Sequence, residues 1–235
     1  MLDMILDHSK YIALFLGLAA GFPLMWRRRE RLGFQTWWQI LFLCLFFTTA
    51  SVLSALLFAS FERLVTGGGL AFGAISTYGV YFFCPLFLFL AAKASRVGIR
   101  DGFDLYAIYA LPSLFFLRIN CLISGCCGGT HIPGTELHWP TRQAEMLFYA
   151  AMLLVFLRRE KRGAAAGQNF PLLMAAYGCF RFVEEWVRET SGSSALHLAH
   201  LWSVLAAALG LSICIELQSR RARVAVPMKI RRKAQ

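Results

Sequence analysis

The sequence predicts an all-α polytopic membrane protein with seven transmembrane helices, its amino terminus outside and its carboxyl terminus cytoplasmic. Three observations carry this. Of 235 residues, 58% are hydrophobic and 16% charged, with a mean hydropathy of +0.57, a balance foreign to a water-facing surface. The apolar residues fall in runs near the ~20 residues that a helix needs to cross a bilayer. The 24 Lys and Arg, against 13 Asp and Glu, give a formal charge of +11. They sit in short clusters between the runs, a membrane pattern, rather than on one folded face as nucleic-acid binding requires.

The first run, Tyr11 to Trp26, follows Asp3 and Asp7 and precedes Arg27, Arg28, Arg29 and Arg31. That charge order is the reverse of a cleavable leader, so the segment is expected to remain as an anchor. The second is Trp37 to Ser60. The third, Ile75 to Ala92, contains Pro85, and the fourth, Phe103 to Ile123, contains Pro112; each proline removes a backbone donor and is expected to bend its helix. Ala144 to Leu157, Phe170 to Val187 and Leu196 to Leu217 complete the set.

An odd number of spans puts the termini on opposite sides and lets the positive-inside rule act loop by loop. The segments expected in the cytoplasm are the Arg27 cluster, the group Lys93, Arg96 and Arg100, the group Arg158, Arg159, Lys161 and Arg162, and the tail from Arg220. Together they hold 18 of the 24 basic residues. The others, Lys10, Arg63, Arg118, Arg142, Arg181 and Arg188, lie in or near the outer half. Residues 1–219 are therefore expected to form the membrane domain and 220–235 a basic cytoplasmic tail.

Of seven cysteines, Cys44, Cys84, Cys179 and Cys214 lie inside apolar runs, where a thiol is a small hydrophobe. Cys126 and Cys127, with His131 and His138 downstream, are set aside as metal ligands. Neighbouring residues are expected to point apart, and the two-residue gap of a zinc knuckle is missing. No metal and no cofactor are expected. Helix-exit packing around Gly125, Gly128 and Gly129 is the leading account of the cluster, with a disulfide or thiol exchange through Cys121 or Cys126 also chemically open.

An ionised side chain within a span costs about 2.5–3.5 kcal/mol, so each one calls for a partner or a function. Three groups stand out: Arg118 through Gly129, Pro140 through Glu145, and Tyr177 through Glu185. Arg181 has Glu184 and Glu185 at helical distance. Arg118 has no acid within four positions, so its anion must come from another helix or a ligand. All three groups fall at the expected outer ends of their spans and can converge on one site. Paired guanidinium groups fit a phosphate, and in a bilayer the abundant phosphate is a phospholipid headgroup.

The run Arg118, Ile119, Asn120, Cys121, Leu122, Ile123, Ser124, Gly125, Cys126, Cys127, Gly128, Gly129 resembles the Arg and Gly motif of the bacterial prolipoprotein diacylglyceryl transferases, in the Cys-rich form of their more distant relatives. Pro140, Thr141 and Glu145 are similar to that family's next motif, and Tyr177, Gly178, Phe180, Arg181 and Glu185 to its Tyr-Gly-x-Phe-Arg motif. Leu201, Ser203 and Gly210 are similar to its last helix. The resemblance covers most of the chain from Ser76 onward.

It implies a multi-pass protein of the bacterial inner membrane that moves diacylglyceryl from phosphatidylglycerol, or another anionic phospholipid, to the lipobox Cys thiol of a lipoprotein precursor. By the same resemblance, Arg118 and Arg181 hold the phosphate and stabilise the departing oxygen. Glu145 and Glu185 orient them, and Tyr177 donates a hydrogen bond at the reaction centre. Tyr78, Cys121, Ser124, Cys126 and Arg142 are the expected substrate-binding positions.

Where the family places His-Gly-Gly in span three, this chain has Tyr78, Gly79 and Val80, and a phenol with a pKa of about 10 is a poor base at neutral pH. Cys121, Cys126, Arg142 and Ala144 also replace the family's Asn, Glu, Gln and Tyr. His131, His138 or Glu145 are alternative bases, with His197 and His200 no better placed. Two further readings stay open: the same scaffold with a different acceptor, and a noncatalytic lipid-binding membrane protein.

Overall fold

The computed structural model describes residues 2–67, 75–95, 98–164, 166–189 and 197–233, with side chains left aside at 2–8, 94–95 and 224–233. Arg96, Leu196 and loop residues 68–74 lie outside the described residues, as do the side chains of Asp3, Asp7, Lys229, Arg231, Arg232 and Lys233.

The described chain is helical apart from its connecting loops and two isolated backbone bridges. Helix α1 spans Leu2–Trp26, followed by a 3-10 turn at Arg29–Leu32 that closes on Gly33, whose φ of 66° suits a residue without Cβ. Helix α2, Trp37–Val65, begins where the Gln39 side chain accepts the Thr36 N–H at 3.1 Å, meeting a donor that the first turn leaves free.

The third apolar run forms two helices, α3 (Tyr78–Phe82) and α4 (Cys84–Ser95). The break falls beside Pro85, where Leu86 N–H reaches only to Phe83 O. Helix α5, Ile99–Ile123, by contrast absorbs the buried Pro112 without interruption. Helices α6 (Thr141–Lys161), α7 (Asn169–Glu184) and α8 (Leu198–Lys233) complete the order. Helix α8 continues through the basic residues beyond 219.

Lipid is as apolar as leucine, so membrane helices hold together through close packing and internal hydrogen bonds. Helix α8 lies along α7, and α1 along α5. A Cβ on Gly210 would stand 2.6 Å from Pro171 O, and one on Gly178 2.6 Å from Ser203 O, so both faces of the α7–α8 contact depend on the missing side chain. Between α2 and α5, Tyr106 pairs with Ser51 at 2.7 Å and Tyr109 with Thr48 at 2.5 Å.

Four described helical stretches are long and apolar enough to cross a membrane: Ser9–Trp26, Trp37–Val65, Ile99–Ile123 and Leu198–Arg223. Tyr78–Lys93 is apolar but shorter. Helix α7 has only 16 residues and α6 is charged at both ends; these two carry Arg181 and Glu145.

Candidate active site

Arg118 lies one turn before the end of α5, without a local acid. It reaches Glu145 on α6: Nη2 donates to Oε1 at 2.8 Å, and Nε also pairs with that carboxylate. Arg181 on α7 donates to the same Oε1 at 3.0 Å. Arg181 also holds the two acids of its own helix, Glu184 at 2.5 Å and Glu185 at 2.8 Å, as its spacing predicts. Arg188 approaches Glu145 at 3.6 Å.

Three guanidinium groups and three carboxylates thus form one network across α5, α6 and the end of α7. Glu145 at its centre is 1% exposed, and Arg118 and Arg181 are 9% and 7% exposed. Burial of this kind is tolerable only because the charges balance and share hydrogen bonds.

Beneath the network lies a stack of tyrosine rings. Tyr177, one turn before Arg181, stacks on Tyr81 at 4.6 Å and on Tyr149 at 6.2 Å between centroids. The Tyr81 and Tyr149 hydroxyls are buried with no hydrogen-bond partner among the described residues, unusual for polar atoms in a core. Neither residue stands out in the sequence, although Tyr149 lies one turn after Glu145 and Tyr81 one turn after Tyr78. Arg188 was legible only as an outer basic residue.

The loop from Gly125 to Pro140 meets the network at Arg188, whose backbone bridges to Gly129. Thr130 N–H donates to Val187 O at 2.8 Å and Glu189 N–H to Gly128 O at 3.0 Å, tying the loop to the end of α7. Arg142 reaches Gly125 O at 2.7 Å and Thr141 reaches Cys127 O at 3.2 Å, tying it to the start of α6. Between these ties lies a cavity of about 380 Å³ lined by Gly128, Gly129, His138, Thr141, Arg142 and Glu189 among others. Its wall at Thr141 and Arg142 is one helical turn from Glu145.

Of the remaining expected positions, Cys121 stays beside Arg118 and the Tyr78 ring meets Tyr177 edge-on at 6.1 Å between centroids, while Ser124 and Cys126 lie apart. Tyr78 turns to α8, its hydroxyl 2.6 Å from Ser203 Oγ and donating to Ala199 O at 2.9 Å. Cys121 lies 3.7 Å from Arg118 Nη1. Ser124 and Cys126 sit at the exposed helix exit, with Ser124 donating to Asn120 O at 2.9 Å. The His131 and His138 rings meet at a tilt with centroids 3.8 Å apart, and His138 Nδ1 is 2.9 Å from Gly129 O. His200 is buried against Phe182 and Trp186.

One geometric expectation is corrected. Cys126 and Cys127 do not point apart: the sulfurs of Cys121, Cys126 and Cys127 lie within 4.8 Å of one another. The reason is backbone conformation, for Cys127 adopts φ 60°, which turns its side chain back toward the end of α5. All three thiols are free. The Cys121 hydrogen bond lowers the Cys127 thiol below its ordinary pKa, and Arg188 and Arg118 act in the same direction against burial.

No curated protein matches the chain. The family model for prolipoprotein diacylglyceryl transferase matches residues 11–216, a stretch that includes every helix of the charged network and the loop above it. The chain belongs to the prolipoprotein diacylglyceryl transferase family.

Proposed function

We propose that this family member is an active membrane transferase that takes diacylglyceryl from phosphatidylglycerol and attaches it to the lipobox Cys thiol of a lipoprotein precursor, in the bacterial inner membrane. The observation that carries this reading is the meeting of Arg118 and Arg181, from different helices, on the single carboxylate of Glu145. Glu145 holds both guanidinium groups in register before substrate arrives, and such preorganisation is what a developing phosphate charge exploits. The phosphodiester takes over contacts that the carboxylates fill in this structure. Tyr177, one turn from Arg181 on the same face of α7, supplies a hydrogen bond at the reacting centre, and Glu185 keeps Arg181 oriented.

Seven spans support the reading if α3 and α4 count as one broken crossing. The Arg28–Glu160 pair joins the end of α1 to the end of α6, and Asp104 accepts the Gly167 and Asn169 N–H groups at 2.6 and 2.7 Å. These contacts mark one end of the bundle. Arg118 is 14 residues from Asp104 on α5 and so about 21 Å away along the helix, at the other end. The basic clusters gather at the Asp104 end, which the positive-inside rule makes cytoplasmic; the charged network then faces outward with the amino terminus.

The decisive experiment follows labelled diacylglyceryl from phosphatidylglycerol vesicles to a lipobox peptide. Wild type transfers label; Arg118→Ala and Arg181→Ala do not. Full transfer by either variant overturns the reading. A second reading, the same scaffold with a different acceptor, is favoured by Tyr78, whose hydroxyl is engaged by α8 where the family has its His. Phosphatidylglycerol turnover without lipobox labelling would select it. Phosphatidylglycerol bound intact, with no turnover, would instead mark a noncatalytic lipid-binding protein.

A further inference from the structure

The geometry points to a thiophilic metal site formed by Cys121, Cys126 and Cys127, with one coordination position left open for the incoming thiol. Three sulfurs within 4.8 Å are close to the spacing that a tetrahedral metal imposes: Zn–S bonds of about 2.3 Å put sulfurs about 3.8 Å apart.

Two independent features show the cluster to be built rather than incidental. Cys127 is the sole non-glycine residue with positive φ among the described residues, an uncommon conformation that persists where the surroundings impose it. The loop that holds it is anchored by Arg142 to Gly125 O, by Thr141 to Cys127 O and by Glu189 N–H to Gly128 O. Cys121 is meanwhile fixed by the last turn of α5.

The charge also fits. Three thiolates around a divalent ion leave a net charge of −1, and Arg118 Nη1 stands 3.7 Å from Cys121 Sγ to offset it. Soft thiolate ligands select zinc or copper(I) over the hard cations. Among the described residues no fourth Cys, His, Asp or Glu joins the group, and Cys126 is exposed. Three protein ligands with an open position are the mark of a catalytic metal site rather than a closed structural one.

The open position bears on the transfer proposed above, on which this second step rests. An acceptor thiol that binds there gives its proton to water and is held as thiolate. Its sulfur attacks the glyceryl carbon: the C–S bond forms, the C–O bond to phosphate breaks, and the electron pair leaves on the phosphate oxygen toward Arg118 and Arg181. No atom changes oxidation state at the metal. Such a site supplies the deprotonation that Tyr78 cannot.

The test uses the full chain, purified under reducing conditions in nanodiscs, stripped of metal and titrated with Zn²⁺ and, separately, Co²⁺. The expected result is one ion per chain, with sulfur-to-cobalt charge-transfer bands and the visible bands of a four-coordinate ion. Cys121→Ser, Cys126→Ser and Cys127→Ser should each weaken binding at least ~10-fold, since each removes one of few ligands, whereas Cys179→Ser and Cys214→Ser should not. Circular dichroism confirms that the variants keep their helices. No ion bound while all three thiols titrate freely overturns the site, and so does a disulfide within the cluster that persists under those conditions. Adding a lipobox peptide should shift the visible cobalt bands, and its Cys→Ser form should not; unchanged bands overturn the acceptor role. Metal content and cobalt spectra are read without lipid transfer, so they stand or fall separately from the transferase assay.

Discussion

Two ionic clusters at opposite ends of one bundle differ in how far water reaches the carboxylate that each shares. At the Asp104 end, Arg28 and Arg31 share Glu160, but Arg31 is 55% exposed and Glu160 17% exposed. There, water reaches Arg31 and the edge of the carboxylate but not Arg28, which is 8% exposed, so only the Arg31 half resembles a surface pair, typically worth about 0–1 kcal/mol. At the other end Glu145 is almost fully buried between Arg118 and Arg181, where desolvation is severe and hydrophobic side chains would usually serve stability as well or better. The first cluster fastens helix ends. The second holds charge in the interior at a cost that stability alone does not recover, which fits the anionic-substrate site proposed above.

The contrast can be broken first at the guanidinium groups. Arg118→Ala or Arg181→Ala should lower lipid transfer by on the order of 10²–10³-fold, the cost of losing one preorganised donor. Glu160→Gln at the far end should leave transfer unchanged in the same vesicle assay. Arg181→Lys should stay impaired, because an ammonium cannot replace the fork that spans Glu145, Glu184 and Glu185.

Stability sharpens the same comparison. Glu145→Gln leaves its arginines without their shared anion and should cost about 3–5 kcal/mol in a denaturation titration in mixed micelles. Glu160→Gln should cost less, because Arg31 at 55% exposure is solvated without its partner and only Arg28 loses a buried anion. Equal losses at the two ends would erase the distinction.

Smaller effects come from the frame around the clusters. Gly210→Leu should push α8 off Pro171 and Ala175 of α7, and overpacking of this kind costs about 1–3 kcal/mol, visible as a lower Tm. Gly33→Ala meets no steric contact among the described residues, only its φ of 66°, and should cost about 1 kcal/mol.

Much of the site was legible because a membrane magnifies the meaning of a charge. Arg118 without a local acid had to find a distant one, and Glu145 is that partner. Arg181 with Glu184 and Glu185 was legible from helical spacing. Tyr81 and Tyr149 were not, since a tyrosine in an apolar run reads as ordinary core. Pro85 and Pro112 carried the same expectation, yet one coincides with a break between helices and the other sits inside an unbroken α5. A proline states that a donor is missing, and its neighbours decide whether the helix breaks.

The sequence by itself determined that the chain is helical, membrane-embedded and divided by basic clusters, because lipid admits few charges and satisfies no backbone hydrogen bonds. The charged network depends on positions 118, 145 and 181, and only tertiary packing could show that their side chains meet. The three thiols were beyond the sequence for a further reason: their convergence depends on the sign of one backbone angle at Cys127, which residue order does not encode and the anchored loop does.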